Sequence, residues 1–330
     1  MITGTQTRWQ TELQQAVTDP AELLALLGLD PTEFDGPRAE IRPFPLRVPR
    51  GFVTRMRRGD PNDPLLRQVL PVAAETAPAP GFIADPVGDL ASAARPGVLH
   101  KYRGRVLLVA TGACAVNCRY CFRRHFPYAD ENPRPDNWDE ALDYIRGDDT
   151  IAEVILSGGD PLSLSDRRLA ALAGSIANIA HVRRLRIHTR QPIVLPERID
   201  EEFLAWFAPL PLQKVVVVHA NHANELSAEV ARTCAALNSA GASLFNQSVL
   251  LRDVNDSVEV LANLSEALFA VGVIPYYLHL LDRVAGAAHF DIPEQRALAL
   301  HRELRARLPG YLVPRLVREQ AGAPAKTLLL

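Results

Sequence analysis

The sequence predicts an α/β protein built on an incomplete (β/α)6 barrel, preceded by an N-terminal extension of short helices and irregular chain. Two observations predict this fold. From about residue 104 onward, apolar runs rich in β-branched residues alternate with amphipathic stretches, and polar or glycine residues follow each run. Six such units fall short of a closed eight-stranded barrel, so we expect an open one. We place the extension at 1–95 and the barrel at 96–330.

The elements follow from the pattern in chain order. The predicted strands are 105–111, 153–159, 184–190, 214–220, 243–251 and 274–282. Amphipathic stretches near 137–146, 165–180, 199–208, 225–240, 257–271 and 291–308 predict the helices between and after them. A last short apolar run, 312–317, leads to the C-terminus.

The extension is rich in proline. Asp19-Pro20 before an apolar stretch predicts a short capped helix. The prolines of 41–71 exclude long regular elements there, so we expect this segment to wrap the barrel. The segment carries a basic run: Arg47, Arg50, Arg55, Arg57 and Arg58. This run is either a solvated, ion-paired face or a contact for an acidic protein or RNA partner.

Composition excludes several classes of protein. The chain has 330 residues, is 48% hydrophobic and carries a net charge of −2, which gives no signal for nucleic acid or membrane. No apolar run has the length of a membrane span, and the N-terminus lacks the apolar core of a signal peptide. We therefore expect a cytoplasmic protein. Of four cysteines, Cys234 falls at helical spacing among apolar residues and is expected to be buried.

The other three cysteines form the most specific motif of the chain. Cys114, Cys118 and Cys121 have the spacing C-x3-C-x2-C, which brings three soft thiolate ligands to one centre. Three ligands on a four-iron cluster leave one iron open to a small molecule. The alternative is a structural zinc site with a distant fourth ligand. Zinc sites usually pair two C-x2-C halves, and the chain has no second half.

Polar residues after the other strands point to the same place. In a βα barrel, the carboxyl ends of all strands lie on one rim, where active sites form. Besides the cysteines, the rim sets are 157–160, 188–190, 219–222, 246–248 and Asp282. Their convergence on the cysteine loop predicts a single active site.

With these residues identified, the chain resembles the lysine 2,3-aminomutase family of radical S-adenosylmethionine (SAM) enzymes. The motifs that carry the resemblance run in order through 59–71, 100–128, 156–162, 219–226, 246–256 and 275–282. The chain is most similar to the branch that modifies a lysine of translation elongation factor P. The resemblance implies an isomerase that converts L-α-lysine to β-lysine by moving the amino group from C2 to C3. It also implies a ligase that attaches β-lysine to the factor, and a flavodoxin or ferredoxin as reductant.

The resemblance implies three cofactors: a [4Fe–4S] cluster, SAM and pyridoxal 5′-phosphate (PLP). Cys114, Cys118 and Cys121 match the cluster ligands. The residues that match positions near SAM are Gly158, Gly159, Asp160 and, less closely, Gln247. Lys326 matches the lysine that forms a Schiff base with PLP. Arg105 matches an arginine at the cofactor phosphate, and Lys101 stands where the free-lysine enzymes have an arginine.

Substrate residues follow from the same resemblance. Arg123 matches the arginine that clamps the lysine carboxylate, and Asp282 matches an acid that binds the ε-ammonium. Glu319 stands where the family has a second aspartate, so its carboxylate reaches one methylene further.

Four residues follow Lys326, whereas metabolic aminomutases of the family carry a longer extension there, and this favours the translation-factor branch. Two alternatives stay open at this point: a metabolic lysine or other amino-acid 2,3-aminomutase, and a zinc-dependent binding protein. The sequence also leaves open whether free lysine or a factor-bound lysyl group is the substrate.

Overall fold

One ten-stranded sheet organises the molecule, and its strand order follows the chain order. The computed structural model describes residues 7–34, 44–131 and 138–329. The strands are β1 (Ala93–Arg95), β2 (Val98–Tyr102), β3 (Arg105–Thr111), β4 (Glu153–Gly158), β5 (Arg184–His188), β6 (Gln213–Val218), β7 (Ala242–Val249), β8 (Ile274–His279), β9 (Arg315–Arg318) and β10 (Thr327–Leu328).

Helices precede the sheet in the extension and connect its strands in the barrel. In the extension they are α1 (Arg8–Gln14), α2 (Pro20–Leu27), α3 (Arg50–Val53) and α4 (Pro64–Arg67). In the barrel they are α5 (Tyr128–Glu131), α6 (Asp139–Arg146), α7 (Asp166–Ala177), α8 (Gln191–Val194), α9 (Glu201–Phe207), α10 (Ala228–Ser239), α11 (Val258–Ala270) and α12 (Glu294–Arg307).

The incomplete barrel predicted from the sequence is confirmed. The six predicted strands are β3 to β8, and each pairs in parallel with the next. The last apolar run forms β9, which adds a further parallel strand. Antiparallel strands β1, β2 and β10 extend the two edges. In the described residues β1 and β10 are the ends of the strand order, so the sheet stays open.

Local sequence sets the element boundaries. Strand β4 is buried along its whole length, as expected of a central parallel strand with both faces covered. Ser227 and Ser257 accept hydrogen bonds from the backbone N–H groups of Val230 and Val260, which fixes the first turns of α10 and α11. Cys234 is fully buried in α10, as expected.

The extension packs on the rim that carries the cysteine loop. Its apolar residues, including Phe52, Leu65 and Leu66, share a core with Ala115 and Val116 of that loop. The predicted capped helix is α2, where Asp19 accepts from the Ala21 N–H. The predicted boundary between extension and barrel, after residue 95, falls between β1 and β2. The last residues of the extension therefore join the sheet. The boundary itself stays a prediction.

The basic run is largely occupied by contacts within the chain, which favours the ion-paired interpretation. Arg47 donates to the Leu13 carbonyl, Arg50 pairs with Glu22, Arg55 donates to the Glu225 carbonyl and Arg57 lies 3.5 Å from Asp60. In the described residues no helix is long and apolar enough to cross a membrane. Part of the proline-rich segment, 41–43, lies outside the described residues.

Candidate active site

A cavity of about 610 Å³ fills the open barrel and reaches the carboxyl ends of the strands. Every site residue predicted from the sequence lines it: Lys101, Arg105, Cys114, Cys118, Cys121, Arg123, Gly158, Gly159, Asp160, Gln247, Asp282, Glu319 and Lys326. The cavity therefore brings the predicted cluster, cofactor and substrate residues to one place.

The cysteine loop leaves β3 and is held by the extension. The backbone N–H of Asn117 donates to the Arg47 carbonyl (3.0 Å), and that of Arg119 donates to the Gln68 carbonyl (2.9 Å). The loop is thus anchored on the extension across the rim, and its thiols face the cavity.

A buried ion triad reinforces this anchor. Glu75, from the extension, accepts hydrogen bonds from the guanidinium groups of Arg119 and Arg124. Burial by itself would raise the pKa of Glu75, but the two arginines outweigh burial and hold it below its usual value. Because a buried charge without its partner is strongly destabilising, the triad ties loop and extension together.

Two glycines after β4 allow the cysteine loop to lie directly on this strand end. Gly158 has a φ of +118°, and a Cβ there would lie 2.6 Å from the Thr111 carbonyl oxygen. A Cβ on Gly159 would lie 2.5 Å from the Ala113 carbonyl oxygen. Both obstacles are backbone atoms, so these glycines serve the packing of the cysteine loop, whatever ligand lies beyond them.

Gly159→Ala is expected to impair cluster binding, because the new methyl group displaces the cysteine loop. We expect iron and sulfide content to fall well below that of the unchanged protein, and stability to fall by about 1–3 kcal/mol. Gly174→Ala in α7 is the matched control, since nothing lies within 4 Å of its Cβ position. Iron analysis and urea unfolding give both results. Full iron content and unchanged stability in Gly159→Ala would contradict the packing argument.

The arrangement of the three thiols is compatible with a four-iron cluster. In the described residues no group of three His, Cys, Asp or Glu side chains is close enough to hold one metal ion. In a four-iron cluster each cysteine binds a different iron, so the sulfurs need not meet at one point. Burial raises the pKa of Cys121 to about 11 and that of Cys114 well above its usual value, so iron must displace protons from these thiols.

Asp160 uses its carboxylate inside the protein. It accepts from the Thr189 hydroxyl (2.7 Å), the Arg190 backbone N–H (2.7 Å) and the Leu162 N–H (3.0 Å). Burial raises its pKa although these hydrogen bonds act in the opposite direction. The side chain therefore fastens the loop after β4 to the loop after β5, and a ligand in the cavity would meet the adjoining backbone.

Strand alternation decides which of the polar residues of β7 reaches the cavity. Gln247 lines it, whereas Asn246 and Ser248 point to the opposite face and hydrogen-bond the backbone of Ala220. Of this rim set, only Gln247 is placed to contact a ligand.

Arg123 and Lys101 share a partner that the sequence did not reveal. One carboxylate oxygen of Asp89 accepts from Nε of Arg123 (2.6 Å), and the other lies 2.6 Å from Nζ of Lys101. Burial would raise the pKa of Asp89, but the charges of these two residues lower it. Lys101 also donates to the Val87 carbonyl, so its ammonium is committed to the protein. Asp89 lies in an irregular part of the extension, where no local pattern marks it.

Arg105 is the freer cation for a phosphate. Its guanidinium lies 4.6 Å from the ring centroid of Tyr102 and has no ion pair within the described residues. Of the two phosphate contacts expected from the sequence, the structure thus favours Arg105 over Lys101.

Lys326 lies between β9 and β10, in a pocket of acids and aromatic rings. Its ammonium pairs with the Glu319 carboxylate and lies 5.9 Å from the ring centroid of Tyr277. Glu319 also accepts from the Tyr102 hydroxyl. Burial would raise the pKa of Glu319, but Lys326 and Tyr102 lower it, so this carboxylate is ionised. Asp282 faces the same pocket, and burial raises its pKa to about 7 while the Lys326 charge acts against this shift.

Two histidines complete the wall near Lys326. Burial, reinforced by nearby cationic charge that includes Lys326, holds the pKa values of His188 and His279 well below the usual value, so both rings are neutral. Nε2 of each ring is buried and makes no hydrogen bond in the described structure. Sequence reasoning placed His188 on the rim but missed His279. Its signal is the alternation of β8, since Tyr277 and His279 share the face that lines the cavity.

Comparison with known proteins gives the family of this chain. A family model described as the Radical SAM superfamily matches residues 108–265. The chain is 51% identical to L-lysine 2,3-aminomutase of Escherichia coli, over 97% of this chain and 94% of that protein. The chain belongs to the lysine 2,3-aminomutase family. It is also 49% identical to the Haemophilus influenzae enzyme, over 97% and 95%, and 35% identical to that of Clostridium subterminale, over 97% and 77%.

Family membership makes the chain an isomerase of the radical-SAM class whose cofactors are a [4Fe–4S] cluster, SAM and PLP. The residues present fit these groups. Three thiols lie on one wall of the cavity, and a lysine lies with neutral histidines and an arginine on another. The relatives matched over nearly the whole chain are lysine 2,3-aminomutases, so the alternative of a zinc-dependent binding protein is not supported.

Proposed function

We propose that this protein converts free L-α-lysine to β-lysine in the cytoplasm and supplies it to a ligase that modifies translation elongation factor P. The observation that carries the activity is the shared cavity, which holds the cysteine loop and the Lys326 pocket together. The relatives in Escherichia coli and Haemophilus influenzae are lysine 2,3-aminomutases matched over nearly their whole length. The link to elongation factor P rests on the resemblance described from the sequence.

When bound, the cluster with SAM would supply one-electron radical chemistry, and PLP would supply a conjugated system for the amino-group migration. Cys114, Cys118 and Cys121 would hold the cluster, and Lys326 would hold PLP. The open barrel keeps these reacting groups in one cavity under the extension and limits the access of water to the radical.

Charge recognition selects lysine. Arg123 is buried on the cavity wall. Its Nε donates to Asp89 and its Nη1 to Ser157 and the Gly158 carbonyl, so within the described residues Nη2 is the nitrogen left to pair with a carboxylate. Asp282 and Glu319 provide negative charge for the ε-ammonium. A lysyl group attached through its carboxyl carbon has no free carboxylate for Arg123, and this favours free lysine as the substrate.

Lysine use by the free enzyme is expected to weaken as pH falls through about 7, the value to which burial raises the pKa of Asp282. Below this pH the carboxyl group is protonated and neutral, so it no longer attracts the ε-ammonium. Below this pH, on the acid limb of the pH profile, we expect kcat/KM to fall about tenfold per pH unit. Steady-state kinetics with lysine over this range measure the profile.

Asp282→Asn is the companion variant. It should lower kcat/KM about ten- to hundredfold at high pH and flatten the acid limb, because no titratable group remains at this position. Asp291→Asn, in a partly exposed ion pair with Arg283, is the control and should keep the limb. An acid limb that persists in Asp282→Asn would assign it to another group.

The activity is tested anaerobically. The protein is reconstituted with iron, sulfide, PLP and SAM, then given reductant and lysine, and β-lysine and 5′-deoxyadenosine are measured together. Both products are expected. Deoxyadenosine without β-lysine would keep the radical chemistry and reject lysine in favour of another amino acid. Neither product, from protein with a full cluster, would reject the proposal.

The link to elongation factor P needs its own test. The reconstituted protein, free lysine, the ligase and unmodified factor are incubated together, and the mass of the factor is measured. A mass increase of one β-lysyl group that requires this protein and free lysine supports the link. Modification only when the factor already carries a lysyl group would instead make that conjugate the substrate.

A further inference from the structure

A buried polar network lies directly behind the cysteine loop, and Arg190 is its centre. Arg190 follows β5 and is 6% exposed. Its Nη1 lies 2.8 Å from Sγ of Cys118. Its Nη2 donates to Oε1 of Gln68 (2.7 Å) and to Oε2 of Glu225 (2.9 Å). One side of the guanidinium thus faces a predicted cluster ligand, and the other side is held by the extension and the barrel.

The position of this guanidinium is fixed from several directions. Its centre lies 5.6 Å from the ring centroid of Phe52 and 5.8 Å from that of Tyr120. The backbone N–H of Arg190 is held by the Asp160 carboxylate. A side chain constrained in this way keeps its N–H groups aimed at one target, as second-shell groups at metal sites do.

The network also places charge close to the sulfur. Glu225 is fully buried and accepts from Gln68 and from the Asn221 N–H as well as from Arg190. Burial would raise its pKa, but Arg190 and these hydrogen bonds lower it, so the pair is ionic. The positive charge of Arg190 therefore lies next to Cys118, and the negative charge of Glu225 lies behind Arg190. Both charges are buried.

We propose that Arg190 sets the reduction potential of the cluster through its hydrogen bond and charge at the Cys118 sulfur. This inference rests on Cys118 being a cluster ligand, as in the proposed function. Reduction adds one electron to the cluster, from a one-electron donor of the ferredoxin or flavodoxin class, and breaks no bond in this step. Arg190 stabilises the added negative charge, because it places a hydrogen-bond donor and a positive charge at the ligand sulfur. Both are lost when the arginine is removed.

The rival interpretation is that Arg190 only joins the extension to the barrel through Gln68. The two interpretations predict different shifts of the reduction potential for two substitutions. Arg190→Met removes the positive charge and should make reduction harder. Glu225→Gln removes the negative charge behind it and should make reduction easier. Structural damage alone has no reason to shift the potential in opposite directions.

The experiment is a redox titration of the reconstituted protein, without lysine, followed by electron paramagnetic resonance, with iron and sulfide measured in each sample. We expect Arg190→Met to lower the equilibrium constant for one-electron reduction at least about tenfold, which is about 59 mV in midpoint potential. Glu225→Gln should shift the midpoint upward. Arg190→Lys should shift it downward by less than Arg190→Met, because charge remains but the planar fork is lost.

Arg198→Lys is the matched control for Arg190→Lys. Arg198 is fully buried and paired with Asp166, but it contacts neither the cysteines nor Glu225. It should leave the midpoint unchanged even where it lowers stability. Because the readout needs a cluster and no substrate, a failure of the aminomutase proposal is distinguishable from a failure of this one.

Three results would overturn the inference. The first is an unchanged midpoint in both Arg190 variants at full iron content. The second is a shift of the same sign in Arg190→Met and Glu225→Gln. The third is loss of iron from Arg190→Lys while Glu225→Gln retains it, because this would leave Arg190 a purely structural role in holding the loop.

Discussion

Lys326→Ala is expected to abolish PLP binding and lysine aminomutation. The chain contains three lysines, at 101, 214 and 326, so few amines can form a Schiff base with PLP. Lys214 lies at the start of β6 and donates to the Ala208 carbonyl, and Lys101 is committed to Asp89 and Val87. We expect the PLP absorbance to disappear and activity to fall below about one-thousandth of that of the unchanged protein.

The measurement can name the lysine directly. Borohydride reduction of PLP-loaded protein, followed by digestion and mass spectrometry, should place the pyridoxyl group on the peptide that contains Lys326. Lys214→Ala is the control and should keep the full chromophore. A label on Lys101, or a full chromophore in Lys326→Ala, would reject the assignment and move PLP toward Asp89.

Cys118→Ala is expected to remove the cluster and, with it, all radical chemistry. Three thiolates are the minimum that holds a four-iron cluster with one iron open, so loss of one leaves the cluster underligated. Iron should fall from about four per chain to background after anaerobic reconstitution, and no 5′-deoxyadenosine should form. Iron, sulfide and visible absorbance give the result.

The fourth cysteine provides the control for this variant. Cys234 is fully buried in α10 and is not among the residues that line the cavity. Cys234→Ala should bind iron normally and lose only about 1 kcal/mol of stability through the small cavity it leaves. Unchanged cluster content in Cys118→Ala would show that this thiol is not a ligand, and would also remove the basis for the role given to Arg190.

Much of the fold could be read from the sequence because each barrel unit repeats a local pattern. Apolar alternation and helix caps such as Ser227 act over a few residues, so strands β3 to β8 and their helices were predictable. Strands β1 and β10 are too short to carry a pattern of their own, and β2 lacks an apolar alternation. Their pairing depends on neighbours already in the sheet, and only the folded structure provides these.

The candidate site was also predictable only in part. The sequence by itself determined which residues meet: the cysteine spacing, the polar residues at strand ends and Lys326 near the C-terminus all predicted one cavity. Only the tertiary structure decided how they are partnered. Asp89 holds Arg123 and Lys101 across long sequence separations, and Arg190 reaches Cys118 while it is held by Gln68 and Glu225. The physical reason is that periodicity and capping act through near neighbours in the chain, whereas buried charges are satisfied by partners that only folding brings together.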